Sequence, residues 1–166
     1  MLQGRTREAQ VETPTLASRW QMKSHVLLGL LRIVTAFLFI QYGTAKMFAL
    51  PGPLSPDGST VEPMSLMGVA ALLEMVGGAL LLIGLFTRPV AFILSGEMAF
   101  AYFMGHASQG FWPVLNQGVV AVLFCFLFLY FSAAGPGAFA LSSVWRRWNA
   151  THVEGFGTHH EPLHHT

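Results

Sequence analysis

Charge is what this sequence has least of: Asp, Glu, Lys and Arg make up 10% of its 166 residues, where soluble domains carry about 25%. So little charge excludes a chain that meets water on all sides, and a hydrophobic fraction of 53% points to a membrane protein of one domain. A single cysteine, Cys125, excludes an intrachain disulfide and any multi-cysteine metal or iron–sulfur site. It sits in an apolar run and reads as a small packing residue. A net charge of +1 gives no basis for a nucleic-acid partner. No flavin, haem or iron–sulfur motif is visible, so no intrinsic cofactor is expected and electrons for any redox step come from a partner.

What is present is a series of apolar stretches. Residues 1–24 are polar, with Arg5, Arg7, Arg19 and Lys23 among acidic residues and Pro14, and read as a tail or surface helix. A first helix follows over about 26–50, too long for a signal-peptide core of about 7–15 residues. Pro51, Gly52, Pro53, Pro56, Gly58 and Pro63 then break the chain into an exposed loop. A second helix is expected over about 64–85. The tight Thr87-Arg88-Pro89 turn sends a third, about 89–104, back against it, with Pro89 in its first turn. After a loop bearing His106, Trp112 and Pro113, a fourth helix runs over about 114–134 until Gly135-Pro136-Gly137 ends it. The membrane domain is thus 25–142, an all-α antiparallel bundle of four transmembrane helices. Residues 143–166 form an interfacial segment, anchored by Trp145 and Trp148, and a His-rich tail.

The basic flanks set the orientation. Cations occupy the N-terminal tail, the turn at Arg88 and the segment with Arg146 and Arg147, while the other two loops hold none. By the positive-inside rule both termini are cytoplasmic, in a cell (inner) membrane, and the loop with Asp57 and Glu62 is outside.

Four charges fall inside the apolar segments. Glu74 lies near the middle of the second helix, where an ionisable group costs at least about 2.5 kcal/mol and marks an interior site. Lys46, near the outer end of the first helix, can reach toward it or snorkel outward. Arg32, roughly 9 Å in from the cytoplasmic side, and Glu97, roughly 12 Å in, are at depths that allow an ion pair. Two readings stay open for Lys46 and Glu74: a structural pair that fixes helix register, or a ligand and proton site. Gly43, Gly77, Gly78 and Gly84 would allow close helix packing.

The histidines of the tail, including His159, His160, His164 and His165, belong to a tract type that can bind metal. A polar tail without fixed geometry is the simpler reading, and no metal site is expected. His106 with Tyr102 could serve as an axial ligand or a quinone donor, but an interfacial His at a helix end is the commoner case, and the methionines read as packing.

Tyr42-Gly43-Thr44-Ala45-Lys46, Leu73-Glu74-Met75-Val76-Gly77-Gly78, Leu82-Ile83-Gly84-Leu85-Phe86-Thr87-Arg88 and Gly135-Pro136-Gly137-Ala138-Phe139-Ala140-Leu141-Ser142 together resemble the successive signatures of the DoxX family. The likeness covers roughly Leu27 to Ser142. The chain departs from the pattern at Tyr42, where the family often has His, at Asn116 and Gln117, where an acidic residue often opens the last helix, and in lacking an Asp after the final Ser-Leu. The resemblance implies a four-helix membrane protein in redox company, since the family name comes from a relative linked to a thiosulfate:quinone oxidoreductase. Only Lys46 and Glu74 carry over to the family's polar positions.

The expectation is an accessory subunit of a redox or respiratory membrane complex, not catalytic on its own. Its partners would be membrane lipid and other subunits, with a quinone or other lipophilic molecule held between helices one and two. Ligand-contact candidates are Gln41, Tyr42, Lys46 and Glu74, with Glu74 handling the proton. The alternatives are a purely structural or assembly subunit, and a small oligomeric transporter or proton relay along the line of Glu74, Lys46 and Glu97.

Overall fold

The computed structural model describes residues 16–143, and of residues 16–19 the backbone alone. Helix α1 spans Leu16–Phe48, α2 Leu66–Ile83, α3 Thr87–Ala101 and α4 Val119–Ala134, with no strand among the described residues. A π-helical turn, Tyr102–His106, and a short 3-10 turn, Ala107–Gln109, extend α3. The predicted tail through residue 15, the anchors Trp145 and Trp148, the cations Arg146 and Arg147, and the tail histidines lie outside the described residues.

Each helix boundary has a local cause. α1 starts at Leu16, so residues 16–24 are helical and not tail: after Pro14 no proline or glycine intervenes before Gly29. Lys23 Nζ lies 5.2 Å from the centre of the Trp20 ring, a cation–π contact that suits a polar–apolar boundary. α2 begins at Leu66 rather than Met64 because Ser65 caps it, its side chain accepting from Gly68 N–H at 3.0 Å. It ends in a Schellman motif: Gly84 takes the left-handed conformation at φ 72°, and Leu85 N–H bonds Leu80 C=O at 2.9 Å. α4 begins at Val119, five residues later than 114, because Asn116 holds the preceding turns. Its side chain donates to Gly110 C=O at 2.7 Å and accepts from Gly118 N–H at 2.8 Å. In the 49–65 loop, Asp57 accepts from Ser55 and Ser59 hydroxyls and from Ser59 N–H. These bonds, that from Ser55 foremost, hold its carboxyl down at about 2.

The helices run up and down as an antiparallel bundle. α1 packs along α2 through glycine: a Cβ at Gly43 would meet Ala71 O at 2.6 Å, and one at Gly78 would meet Ile40 at 2.6 Å. Gly77 receives Leu94 of α3. α3 packs along α4, with Arg88 donating to Ala133 C=O at 2.8 Å and Ser95 to Cys125 C=O at 2.9 Å. α1 meets α4 through an aromatic cluster in which Phe39 lies 4.7 Å from Phe128 and 5.1 Å from Phe124, ring to ring.

Outside, the bundle is apolar. Leu27, Val34, Phe37, Leu72, Val76, Phe92, Leu123 and Phe126 are exposed, while Arg32 and Glu74 are buried. That inversion of the soluble pattern belongs to a protein embedded in lipid. Trp20–Phe48, Leu66–Ile83 and Thr87–Gln109 are long and apolar enough to cross a membrane, and Val119–Ala134 is apolar but shorter.

One side chain closes the end of the bundle where α2 stops. Arg32, 0% exposed, donates through Nε to Pro136 C=O at 2.7 Å, through one terminal nitrogen to Leu81 and Leu82 C=O, and through the other to Ala138 and Phe139 C=O, both at 3.1 Å. The Leu81 and Leu82 carbonyls belong to the last turn of α2, beyond the i→i+4 ladder of the helix, where Leu81 C=O also accepts from Gly84 N–H at 3.1 Å. The other three lie on the segment after α4, which folds back on α1: Ala138 N–H bonds His25 C=O at 3.0 Å, and the same segment lies against Gly29, where a Cβ would strike Ala138 O. The expected Arg32–Glu97 pair is therefore absent. Glu97 lies ten positions into α3, about 15 Å along the axis from the α2–α3 turn, whereas five backbone carbonyls lie at the guanidinium.

Replacing Arg32 by Met is expected to lower unfolding stability in detergent by at least about 3 kcal/mol, since several buried carbonyls lose charged donors together. Arg32→Lys should recover little of it, because a compact ammonium cannot reproduce the planar fork. A thermal-unfolding series of the three proteins checks this, and a fully stable lysine variant would refute it.

Candidate functional site

Lys46 stands in the last turn of α1 and Glu74 in the middle of α2. Gly43, three residues before Lys46, lets α2 approach until Lys46 Nζ is 2.5 Å from Glu74 Oε1. Glu74 is 2% exposed and Lys46 18%, so the ammonium reaches inward and does not snorkel out. The second carboxylate oxygen, Glu74 Oε2, is buried and has no hydrogen-bond partner among the described residues. The same holds for both oxygens of Glu97.

These groups share a chamber. A cavity of about 880 Å³ is lined by Tyr42, Lys46, Glu74, Glu97, His106 and Phe124 together with aliphatic neighbours. Its walls come from all four helices. The volume lies within the range of about 300–1,000 Å³ in which small-molecule sites fall, and a mostly apolar wall with a few polar groups is their usual make-up.

The π-helical turn places His106. Ala107 N–H bonds Tyr102 C=O, five residues back, which inserts one extra residue into the helical repeat. Glu97 and Ala101 share a face at the ordinary spacing of four, and the insertion carries that face on to residue 106, so that all three line the chamber. His106 Nδ1 lies 2.9 Å from Asn116 C=O. A carbonyl can only accept, so Nδ1 carries the proton and, in the neutral ring, Nε2 is an acceptor. Tyr102 stacks on the imidazole at 6.3 Å, ring to ring.

Of the residues expected to contact a ligand, Tyr42, Lys46 and Glu74 line the chamber. Gln41 does not. It faces a second cavity, of about 650 Å³, between α1 and α4 under Pro51–Leu54. Tyr42, Leu54, Val120 and Phe124 border both cavities. Gly84 stands apart at the Arg32 end, where a Cβ would meet Ala140 at 2.6 Å. Among the described residues no group of three or more His, Cys, Asp or Glu could hold a metal ion. Glu97, read first as a partner for Arg32 and otherwise as part of a relay with Lys46 and Glu74, lines the chamber, and so does His106, read first as an interfacial residue; the π-helical turn that re-aims His106 has no mark in the sequence.

The DoxX family model matches residues 27–107. An uncharacterized protein of Haemophilus influenzae is 49% identical over 120 residues, which cover 70% of this chain and 88% of that one. The chain belongs to the DoxX family. The "Inner membrane protein YphA" of Escherichia coli is 29% identical over 128 residues, 70% of this chain and 88% of its own. The "Putative oxidoreductase CatD" of Bacillus subtilis is 33% identical over 66 residues, 40% of this chain and 49% of its own. No solved structure matches the chain significantly. In this DoxX protein the family match holds Lys46, Glu74, Glu97 and His106, while α4 lies outside it.

Lys46→Met leaves Glu74 buried without its cation and is expected to cost about 3–5 kcal/mol. Adding Glu74→Leu in the same chain should restore most of that loss, because neither charge then remains. Unfolding midpoints of both variants in one detergent decide the matter; a double variant as unstable as the single would show that the pair does not behave as a coupled unit.

Proposed function

We propose that this protein is an integral accessory subunit of a redox complex in the cell (inner) membrane, and that its chamber holds a quinone or a related small lipophilic molecule. The observation that carries the reading is an apolar cavity bordered by the buried Lys46–Glu74 pair and by Glu97, carboxylates that keep buried oxygens without a hydrogen-bond partner among the described residues. A scaffold alone has no use for such oxygens, since hydrocarbon cannot satisfy them. The name of the Bacillus subtilis relative, an oxidoreductase, agrees with redox company.

The residues present fit a quinone head group. Lys46 has three N–H donors and gives one to Glu74, so a second can point to a ligand carbonyl. Glu74 Oε2 can take or return a proton beside that ligand. Phe39, Tyr42 and Phe124 offer flat walls. When bound, a quinone supplies two-electron, two-proton chemistry, and the electrons come from a partner subunit.

In this reading all four helices cross the membrane. α4 is about 24 Å long, and the turns over 111–118 complete its passage. Both termini face the cytoplasm with Arg88, and the 49–65 loop faces outward.

Two experiments test the proposal. Mass spectrometry of native-lipid extracts should find quinone and redox subunits with the protein, and Glu74→Gln should lose the quinone at least tenfold; a protein purified alone and free of quinone would sink the reading. In a Cys125→Ala background, Ser59→Cys should react with a membrane-impermeant thiol reagent from outside intact cells. Labelling only after lysis would reverse the orientation.

A further inference from the structure

Two glycines have no packing reason. At Gly29, Gly43, Gly68, Gly77 and Gly78 a Cβ would strike a neighbouring segment, so close approach explains the missing side chain. Gly96 in α3 and Gly105 in the π-helical turn differ: a Cβ at either would meet no atom within 4 Å, and neither has the positive φ that favours glycine. Inside a helix a glycine is less stable than an alanine, and no contact among the described residues accounts for that loss. Both line the chamber.

The chamber opens sideways beside them. Gly77 and Leu94 bring α2 and α3 into contact, while the chamber residues of α2 all precede Gly77 and those of α3 run from Ile93 onward. The helices therefore touch toward the turn that joins them and part beyond it, which makes a tapering cleft. Leu66, Met67 and Val69 on one side and Ile93, Phe100 and Met104 on the other border this cleft and are exposed. Ala70 and Ala101 also line it and are half-buried, further in than that rim. Both helices belong to segments long and apolar enough to cross a membrane, so the rim meets hydrocarbon.

We propose that the α2–α3 cleft takes the acyl chain of a membrane phospholipid into the bundle, with Gly96 and Gly105 keeping the passage clear. Apolar walls that cannot reach each other forgo dispersion contacts. A lipid tail, as apolar as leucine, supplies those contacts along the cleft without burying a polar group. The other apolar body at hand in a bilayer is a helix of a second copy. With its side chains a helix is about 10–12 Å across and cannot enter between two helices that touch at one end, whereas a chain one methylene wide can. The inference rests on the reading of the chamber as a site for lipophilic molecules, but it uses no quinone head group.

The test uses the full-length protein in nanodiscs of phosphatidylcholine and phosphatidylglycerol, with a fraction of the lipid carrying a diazirine midway along one acyl chain. After illumination, labelled residues are located by peptide mass spectrometry. Label is expected on Ala70 and Ala101 as well as on Val34, Phe37 and Phe126, which are exposed away from the cleft. Gly96→Phe should lower the label on Ala70 and Ala101 about tenfold and leave the other three as before. Its unfolding midpoint should equal or exceed that of the wild type, because phenylalanine is a better helix former than glycine and meets open space there; a loss of label is then not a loss of fold. Wild-type label confined to the residues away from the cleft overturns the inference, as does a Gly96→Phe protein that keeps its label on Ala70 and Ala101. Cross-linking of α2 or α3 to a second copy in place of lipid overturns it in favour of a protein occupant. No quinone enters this experiment, so these failures leave the quinone reading standing, and a labelled cleft in a protein whose native extracts lack quinone sinks that reading alone.

Discussion

Hydrocarbon provides no hydrogen-bond partner, so every polar atom carried into the membrane has to be satisfied from within the protein. Most of this structure follows from how that constraint is met at the two ends of the bundle. At one end, Arg32 takes up carbonyls from the end of α2 and from the segment after α4. A single guanidinium, with five donors in a rigid fork, thereby ties three parts of the chain together. At the other end, Lys46 and Glu74 neutralise each other across the α1–α2 contact. Glu74 Oε2 and both Glu97 oxygens stay buried without a partner among the described residues, in carboxylates that border a cavity large enough for a small molecule.

The packing that brings these groups together depends on the absence of side chains at a few positions. Gly43 and Gly78 let α1 and α2 touch closely enough for Lys46 to reach Glu74, and Gly77 admits Leu94 from α3. α1 is zipped to α2 and α3 to α4, while the two hairpins are joined through the rings of Phe39, Phe124 and Phe128. The chamber lies where the hairpins face each other. A site built between hairpins, with few groups bridging it, can admit a ligand without unpacking either one.

Much of the architecture was legible from residue order. Four apolar stretches, the breakers from Pro51 to Pro63 and the Thr87-Arg88-Pro89 turn identified the helices and their antiparallel sequence, because bilayer thickness and backbone satisfaction leave few other arrangements. The DoxX resemblance was legible in motif order and is met by the family match over 27–107. Helix ends were less so: Asn116 delays α4 and Ser65 delays α2 through side-chain bonds, and residues 16–24 join α1 despite their polarity.

The charges divide the two kinds of information most sharply. Sequence alone determined that Arg32, Lys46, Glu74 and Glu97 lie within apolar helices, because that position follows from counting residues along each stretch. Which charge meets which was a matter of helix rotation and of where irregular backbone ends. Arg32 went to carbonyls rather than to Glu97 because a segment more than a hundred residues later folds onto it. His106 joined the chamber because one π-helical turn shifted its face. Both decisions belong to tertiary structure, since neither the rotation of one helix against another nor an inserted turn is carried by composition or period.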